Sequence, residues 1–255
     1  MFRTLLFTSL LLLHTGCDSY KIDGIKVDES PTSFPDEDEK YCQCNYTSLW
    51  LDVVFVVDST DAMGRHGIED VSAFIQGTLY QLSKGAGRFQ TRSAVVAYAA
   101  KSQIVASFTD FLTDEDVDLL DVPFYGGKDT NVASGIRDAM TLLDEVSSDR
   151  VAAQAIVLIA TTFRSGSSHD PSRIAETFKE NGGTLITINY VQKDGTVDPA
   201  LAALASPSYA YSNQDYAFGN EDLLQAFCDG KHYLLDLFAR PGHMYNLRIT
   251  VIQIV

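Results

Sequence analysis

Leu51-Asp52-Val53-Val54-Phe55-Val56-Val57-Asp58, followed at once by Ser59-Thr60-Asp61-Ala62-Met63-Gly64, is the stretch on which the fold turns. A valine-rich run bounded by turn-forming residues reads as a strand buried on both faces of a parallel sheet. The acid that closes it lies where open α/β sheets bind ligands, outside the carboxyl ends of their strands. A carboxylate with a hydroxyl two residues on, in a tight loop, has hard-cation chemistry: oxygen ligands converging on Mg²⁺.

Outward from this strand the chain alternates. Ile68, Val71, Ile75, Leu79 and Leu82 recur at helical spacing and lead to Gly85 and Gly87. Strands are expected near 51–58, 93–99, 103–108, 154–160, 184–190 and 208–211. The short gap between the second and third makes that pair antiparallel, since a parallel pair needs a crossover. Thr113 caps a short acidic helix reaching toward Asp121. The loop Gly126-Gly127-Lys128-Asp129-Thr130-Asn131 precedes a second long helix marked by Val132, Ile136, Met140 and Leu143. Pro171 opens another through Phe178, Leu201 and Leu204 mark a short one, and Asp222 to Cys228 form the last. The expected fold is a doubly wound, mostly parallel six-stranded sheet with helices on both faces and one antiparallel edge strand.

Composition narrows the function classes. The chain has 255 residues, 45% hydrophobic and 21% charged, which is globular. A net charge of −15 argues against nucleic acid and anionic membrane surfaces as partners. Residues 1–16, with Arg3 ahead of the apolar Leu5 to Leu13 and then Thr15-Gly16, read as a secretory signal peptide. No later stretch is apolar enough for membrane insertion. The mature chain is therefore expected outside the cell, where thiols oxidise. Residues 17–48 read as an acidic linker carrying Cys42 and Cys44. With Cys228 these make an odd number, so one thiol is free, pairs between molecules or pairs with Cys17. Asn45-Tyr46-Thr47 is an acceptor sequence for N-glycosylation.

Catalytic signatures are missing. There is no Gly-x-Ser-x-Gly elbow and no phosphate-binding Gly-x-x-x-x-Gly-Lys-Ser/Thr loop. Ser165, Ser167 and Ser168 beside His169 have no orienting acid or oxyanion donor that can be named. An extracellular hydrolase is the remote alternative.

Asp58 to Gly64 and Gly126 to Ile136 together resemble the first two loops of a von Willebrand factor type A domain, over residues 49–228. Tyr41-Cys42-Gln43-Cys44, Trp50 to Val54, and Phe163-Arg164-Ser165-Gly166 ahead of Asp170 to Ala175 resemble a narrower group. These are secreted nematode proteins that couple this domain to a C-type lectin-like domain. The resemblance implies a metal-ion-dependent adhesion site of pattern Asp-x-Ser-x-Ser, with a Thr from the second loop and an Asp after a core strand. Asp58, Thr60 and Thr130 match, the Thr60 hydroxyl replacing a Ser. Ala62 falls on the second Ser, and Thr162 falls on the closing Asp with a register uncertainty of one residue. Loss of one of two carboxylates removes a few kcal/mol of attraction in a partly dry cleft. The implied site is degenerate, with no certain cofactor and at most weak Mg²⁺ binding.

The implied function is non-catalytic recognition or adhesion toward an extracellular protein or glycan-bearing surface, in a host-defence setting. A structural or vestigial secreted protein, derived from a truncated lectin-type parent, is the alternative. In this fold the entry to the first strand and the exit of the last helix lie close together, so Cys228 is expected to pair with Cys42 or Cys44. The tail, 229–255, is too short for a lectin domain and is unassigned.

Overall fold

The computed structural model describes residues 45–163, 169–191, 195, 197–214 and 218–229. The expected signal peptide, Cys42, Cys44, Ser165, Ser167, Ser168 and the tail beyond Asp229 lie outside the described residues. After a single 3-10 turn (Tyr46–Ser48) the elements run β1 (Leu51–Asp58), α1 (Gly64–Leu79), β2 (Thr91–Tyr98), β3 (Ser102–Ala106), α2 (Asp114–Asp118), α3 (Val132–Ser147) and β4 (Ala153–Ala160). They continue as α4 (Ser172–Glu180), β5 (Thr184–Asn189), α5 (Pro199–Leu204), β6 (Ala210–Ser212) and α6 (Asn220–Asp229).

The six strands form one sheet in the order β3-β2-β1-β4-β5-β6. Every neighbouring pair is parallel except β2 and β3. Strand order reverses direction at β1, so the crevice between the carboxyl ends of β1 and β4 is the topological switch point. Every residue of β1 is buried, as expected of a central strand covered on both faces. Its side chains alternate between two cores. Val53, Phe55 and Val57 pack with α1 and α6 through Ile68, Val71, Ile75, Leu223 and Phe227. Val54 and Val56 pack with α3, α4 and α5 through Ile136, Leu143, Phe178 and Leu201. Burying each such side chain contributes about 1.5–3 kcal/mol. Gly135 lets α3 lie close on the sheet, since a Cβ there would stand 2.7 Å from Val56 Cγ1 and 3.0 Å from Tyr98 Cδ1.

Strand ends differ from expectation where local hydrogen bonds intervene. β3 stops at Ala106 because the Ser107 N–H donates to Asp110 Oδ2 (2.7 Å) and turns the chain. β6 starts at Ala210 because Ser208, at φ 71°, is left-handed and cannot continue a strand. Thr113 caps α2 in a reciprocal box: its hydroxyl accepts from Asp116 N, and Asp116 Oδ2 accepts from Thr113 N (2.8 Å) and Leu112 N (3.1 Å). These bonds hold the Asp116 carboxyl below the usual carboxylate value.

At the opposite end of the sheet lies an ion cluster that the sequence reading did not anticipate. Asp52, 1% exposed, receives Arg92 bidentately at 2.8 and 2.7 Å and Arg150 Nη2 at 2.5 Å. Arg150 also donates to the carbonyls of Leu51 (2.9 Å), Gly87 (2.9 Å) and Gln90 (2.8 Å), tying three segments together. The fork geometry of two guanidiniums is what satisfies so deeply buried a carboxylate. Cys228, in α6, is disulfide-bonded. Among the described residues no helix is long and apolar enough to cross a membrane.

Candidate functional site

Asp58 ends β1 fully buried, at the switch point. Parallel pairing with β2 on one side and β4 on the other brings three loops to it. The Ser59 N–H donates to the Tyr98 carbonyl (2.7 Å), so the chain turns away immediately. The turn is closed by Asp58 itself, whose Oδ1 accepts from Thr60 N at 3.0 Å. Across the crevice, Asp58 Oδ2 accepts from Thr161 N at 3.2 Å and from the Thr161 hydroxyl at 2.6 Å.

The second loop is held against the first by backbone. Gly126 and Gly127, at φ 69° and 84°, take conformations that favour glycine. Gly126 N donates to the Ser59 carbonyl and Asp61 N to the Gly127 carbonyl, each at 2.9 Å. The Ser59 hydroxyl donates to the Pro123 carbonyl and accepts from Tyr125 N (2.9 Å). Asn131 N donates to the Ala99 carbonyl (2.8 Å), while the Asn131 side chain caps α3 by accepting from Ser134 N (3.1 Å). Thr130 is thereby pinned beside Tyr98.

Two hydroxyls here lack partners. Tyr98 Oη and Thr130 Oγ1 are buried without a geometrically sound hydrogen bond, although they are neighbours. Burial pushes the Tyr98 phenol well above its ordinary value, the Asp58 charge pushes the same way, and the Thr130 hydroxyl opposes both. Tyr98 is therefore a neutral phenol beside the Asp58 carboxylate.

The structure thus joins Asp58 and Thr60 in one turn, places Thr130 beside Tyr98, and sets Thr161 opposite Asp58. The hydroxyl of Thr162, the residue aligned with the closing acid, turns the other way and donates to Asp198 Oδ2 (2.7 Å). β4 ends at Ala160, so Thr161 is the first residue of the turn that follows, and there both its N–H and its hydroxyl reach Asp58. Asp198 also caps α5 through Ala200 N (2.9 Å) and is anchored by donating its own N–H to Asn189 Oδ1 (2.8 Å). Its signal was legible as an N-cap Asp followed by Pro at the first helical position. Ala62, Thr161, Thr162, Tyr190, Asp198 and Pro199 line a cleft of about 340 Å³. The Tyr190 hydroxyl donates to Asp70 Oδ2 (2.7 Å) on α1, and burial together with that contact raises its pKa to about 12.

As a cation site this set is incomplete. Mg²⁺ seeks six oxygens with at least one carboxylate. Asp58 is the carboxylate, yet its oxygens already accept three protein donors. Among the described residues Thr60 Oγ1 accepts a long contact from Ala62 N (3.3 Å), and Thr130 Oγ1 is unpartnered. Ala62 contributes a methyl group. The residues fit a loosely held, largely hydrated cation, with no second carboxylate in contact with Asp58 among the described residues. Among the described residues no group of three His, Cys, Asp or Glu side chains converges to hold a metal.

The family model for the von Willebrand factor type A domain matches residues 52–226. C-type lectin domain-containing protein 160 of Caenorhabditis elegans is 23% identical over 209 residues, covering 78% of this chain and 32% of its own. Proximal thread matrix protein 1 from the mussel byssus, with a zinc-occupied MIDAS motif, superposes with a TM-score of 0.56 at 18% identity, over 71% of this chain and 46% of its own. A von Willebrand factor type A protein from Catenulispora acidiphila gives 0.52 at 16% identity, over 72% and 43%. The chain spans about a third of the curated relative and under half of either solved chain. At these identities the structural likeness establishes the fold.

Proposed function

The chain belongs to the von Willebrand factor type A family, and on that premise we propose that it is a secreted, non-catalytic recognition module. Its partner is an extracellular protein or glycan-bearing surface, bound by the loops around the switch-point cleft. The C-type lectin domain named in the curated relative supports the glycan-bearing surface as partner, and the setting proposed for it is adhesion or host defence. The observation that carries the reading is Asp58: a buried carboxylate at the ligand-binding end of the sheet, satisfied by Thr60 and Thr161 of its own chain. Donors of this kind hold the loops in place without a cation, so recognition does not depend on tight metal binding. Asp58, Thr60 and Thr130 would hold a hydrated Mg²⁺ weakly. Such an ion supplies an open coordination position for a partner oxygen.

The absence of a hydroxyl at Ala62 and of an acid at Thr161 and Thr162 favours a second reading, a structural secreted protein with no partner at this cleft. The two separate by experiment. Immobilised mature chain is exposed to extracellular fluid of the source organism, with Mg²⁺ or with chelator. Recognition requires saturable retention of a defined partner in both buffers, abolished by Thr162→Lys at the exposed rim of the cleft. Equal retention by wild type and variant, or none by either, leaves the structural reading standing.

A further inference from the structure

We propose that Asn45 carries an N-linked oligosaccharide at the pole of the domain opposite the Asp58 cleft, an inference that rests on the secreted reading. Asn45-Tyr46-Thr47 meets the Asn-x-Thr requirement, and the folded chain presents it in a form that accommodates a glycan. Asn45 is exposed and stands immediately before the first structured turn. Its Oδ1 accepts from Thr47 N (3.1 Å) and from the Thr47 hydroxyl (2.7 Å). Because a backbone N–H can only donate, that contact identifies the oxygen and so assigns the amide orientation. The nitrogen Nδ2 makes no hydrogen bond to an acceptor among the described residues. A sugar on Nδ2 displaces no hydrogen bond of the fold.

The transfer balances without redox chemistry. Nδ2 attacks the anomeric carbon of an oligosaccharide carried on a polyprenyl pyrophosphate. A C–N bond forms as the C–O bond to the pyrophosphate breaks. One amide proton is lost, and the lipid pyrophosphate leaves with the electron pair. Position then determines the consequence. Asn45 precedes the amino end of β1, and Asp58 is its carboxyl end. Seven residue steps of extended chain separate those ends by about 23 Å. The glycan solvates the base of the domain and leaves the cleft open.

The test is expression of the full chain, signal segment included, in a eukaryotic secretory host. Material from the medium is treated with peptide N-glycosidase and mapped by mass spectrometry. A discrete loss of mass, with Asn45 converted to Asp at the released site, is the expected result. Asn45→Asp keeps the Oδ1 acceptor for Thr47 N and removes the nucleophilic nitrogen, so it should be secreted, folded and insensitive to the enzyme. Thr47→Ser should keep the modification and Thr47→Ala should lose it. A secreted chain with unmodified Asn45 overturns the glycan alone. A chain retained in the cytosol overturns both the glycan and the secreted reading.

Discussion

Replacing Ala62 by Ser and Thr161 by Asp should convert a domain indifferent to Mg²⁺ into one whose melting depends on it. In the wild type, Asp58 is satisfied by Thr60 and Thr161, and among the described residues no second carboxylate contacts it. With a dissociation constant at or above a millimolar Mg²⁺ concentration, binding adds at most RT ln 2, about 0.4 kcal/mol. For a domain of this size that moves the midpoint by ~1–2 °C. The double variant loses the Thr161 hydroxyl bond to a charged acceptor, worth about 1.5–3 kcal/mol. It also sets two carboxylates against each other. Without metal it should melt well below wild type. With metal, a second carboxylate and a restored hydroxyl complete the set. If Mg²⁺ then stands at ~100 times the dissociation constant, linkage returns about 2.7 kcal/mol, a rise of ~5–11 °C. The assay is differential scanning calorimetry of wild type, Ala62→Ser/Thr161→Asp and Ala62→Ser/Thr162→Asp, in chelator and in millimolar Mg²⁺. Only the Thr161 variant should respond, because the Thr162 side chain faces Asp198. A wild-type rise of several degrees would refute the internally satisfied carboxylate, and a response confined to the Thr162 variant would refute the register.

Breaking the base cluster with Arg150→Ala leaves Asp52 short of a buried partner, and urea unfolding should show a loss of about 3–5 kcal/mol. Gly135→Ala should destabilise by ~1–3 kcal/mol in the same assay despite its better helix propensity, since the new methyl meets Val56 and Tyr98; a neutral result would mean α3 can move off the sheet. Tyr98→Phe removes an unpartnered buried hydroxyl, so its midpoint should be unchanged or higher; a loss above about 1 kcal/mol would show that the phenol is bonded in solution. The Asp116 carboxyl, lowered in the folded state, contributes stability that is present above its unfolded value and is lost as pH falls through the folded value. NMR titration should place Asp116 below an ordinary Asp, and Thr113→Ala should raise it only partway, because the backbone donors of Thr113 and Leu112 remain.

Much of the architecture was legible because it is written in short-range periodicity. The valine run of β1, the helical spacing from Ile68 to Leu79, and the hairpin-length gap before β3 each depend on neighbours within one element. Two of the site's three loops were equally legible, since Asp58-Ser59-Thr60 and Thr130-Asn131 sit beside elements whose ends are marked by turn residues and a cap. The disulfide partner of Cys228 expected at Cys42 or Cys44 lies outside the described residues.

The sequence by itself determined which elements form, in what order, and that one acid would stand at the carboxyl end of the first strand. Only the tertiary structure decided what that acid touches. Thr161 rather than Thr162 reaches Asp58 because parallel pairing of β1 with β4 brings the two strand ends side by side across more than a hundred residues of chain, and the turn that begins just after Ala160 aims Thr161 at Asp58 and Thr162 at Asp198. The same long reach joins Asp52 to Arg150 and Thr162 to Asp198. Neither pair has a local pattern, because a hydrogen bond between distant segments leaves no periodicity in either one.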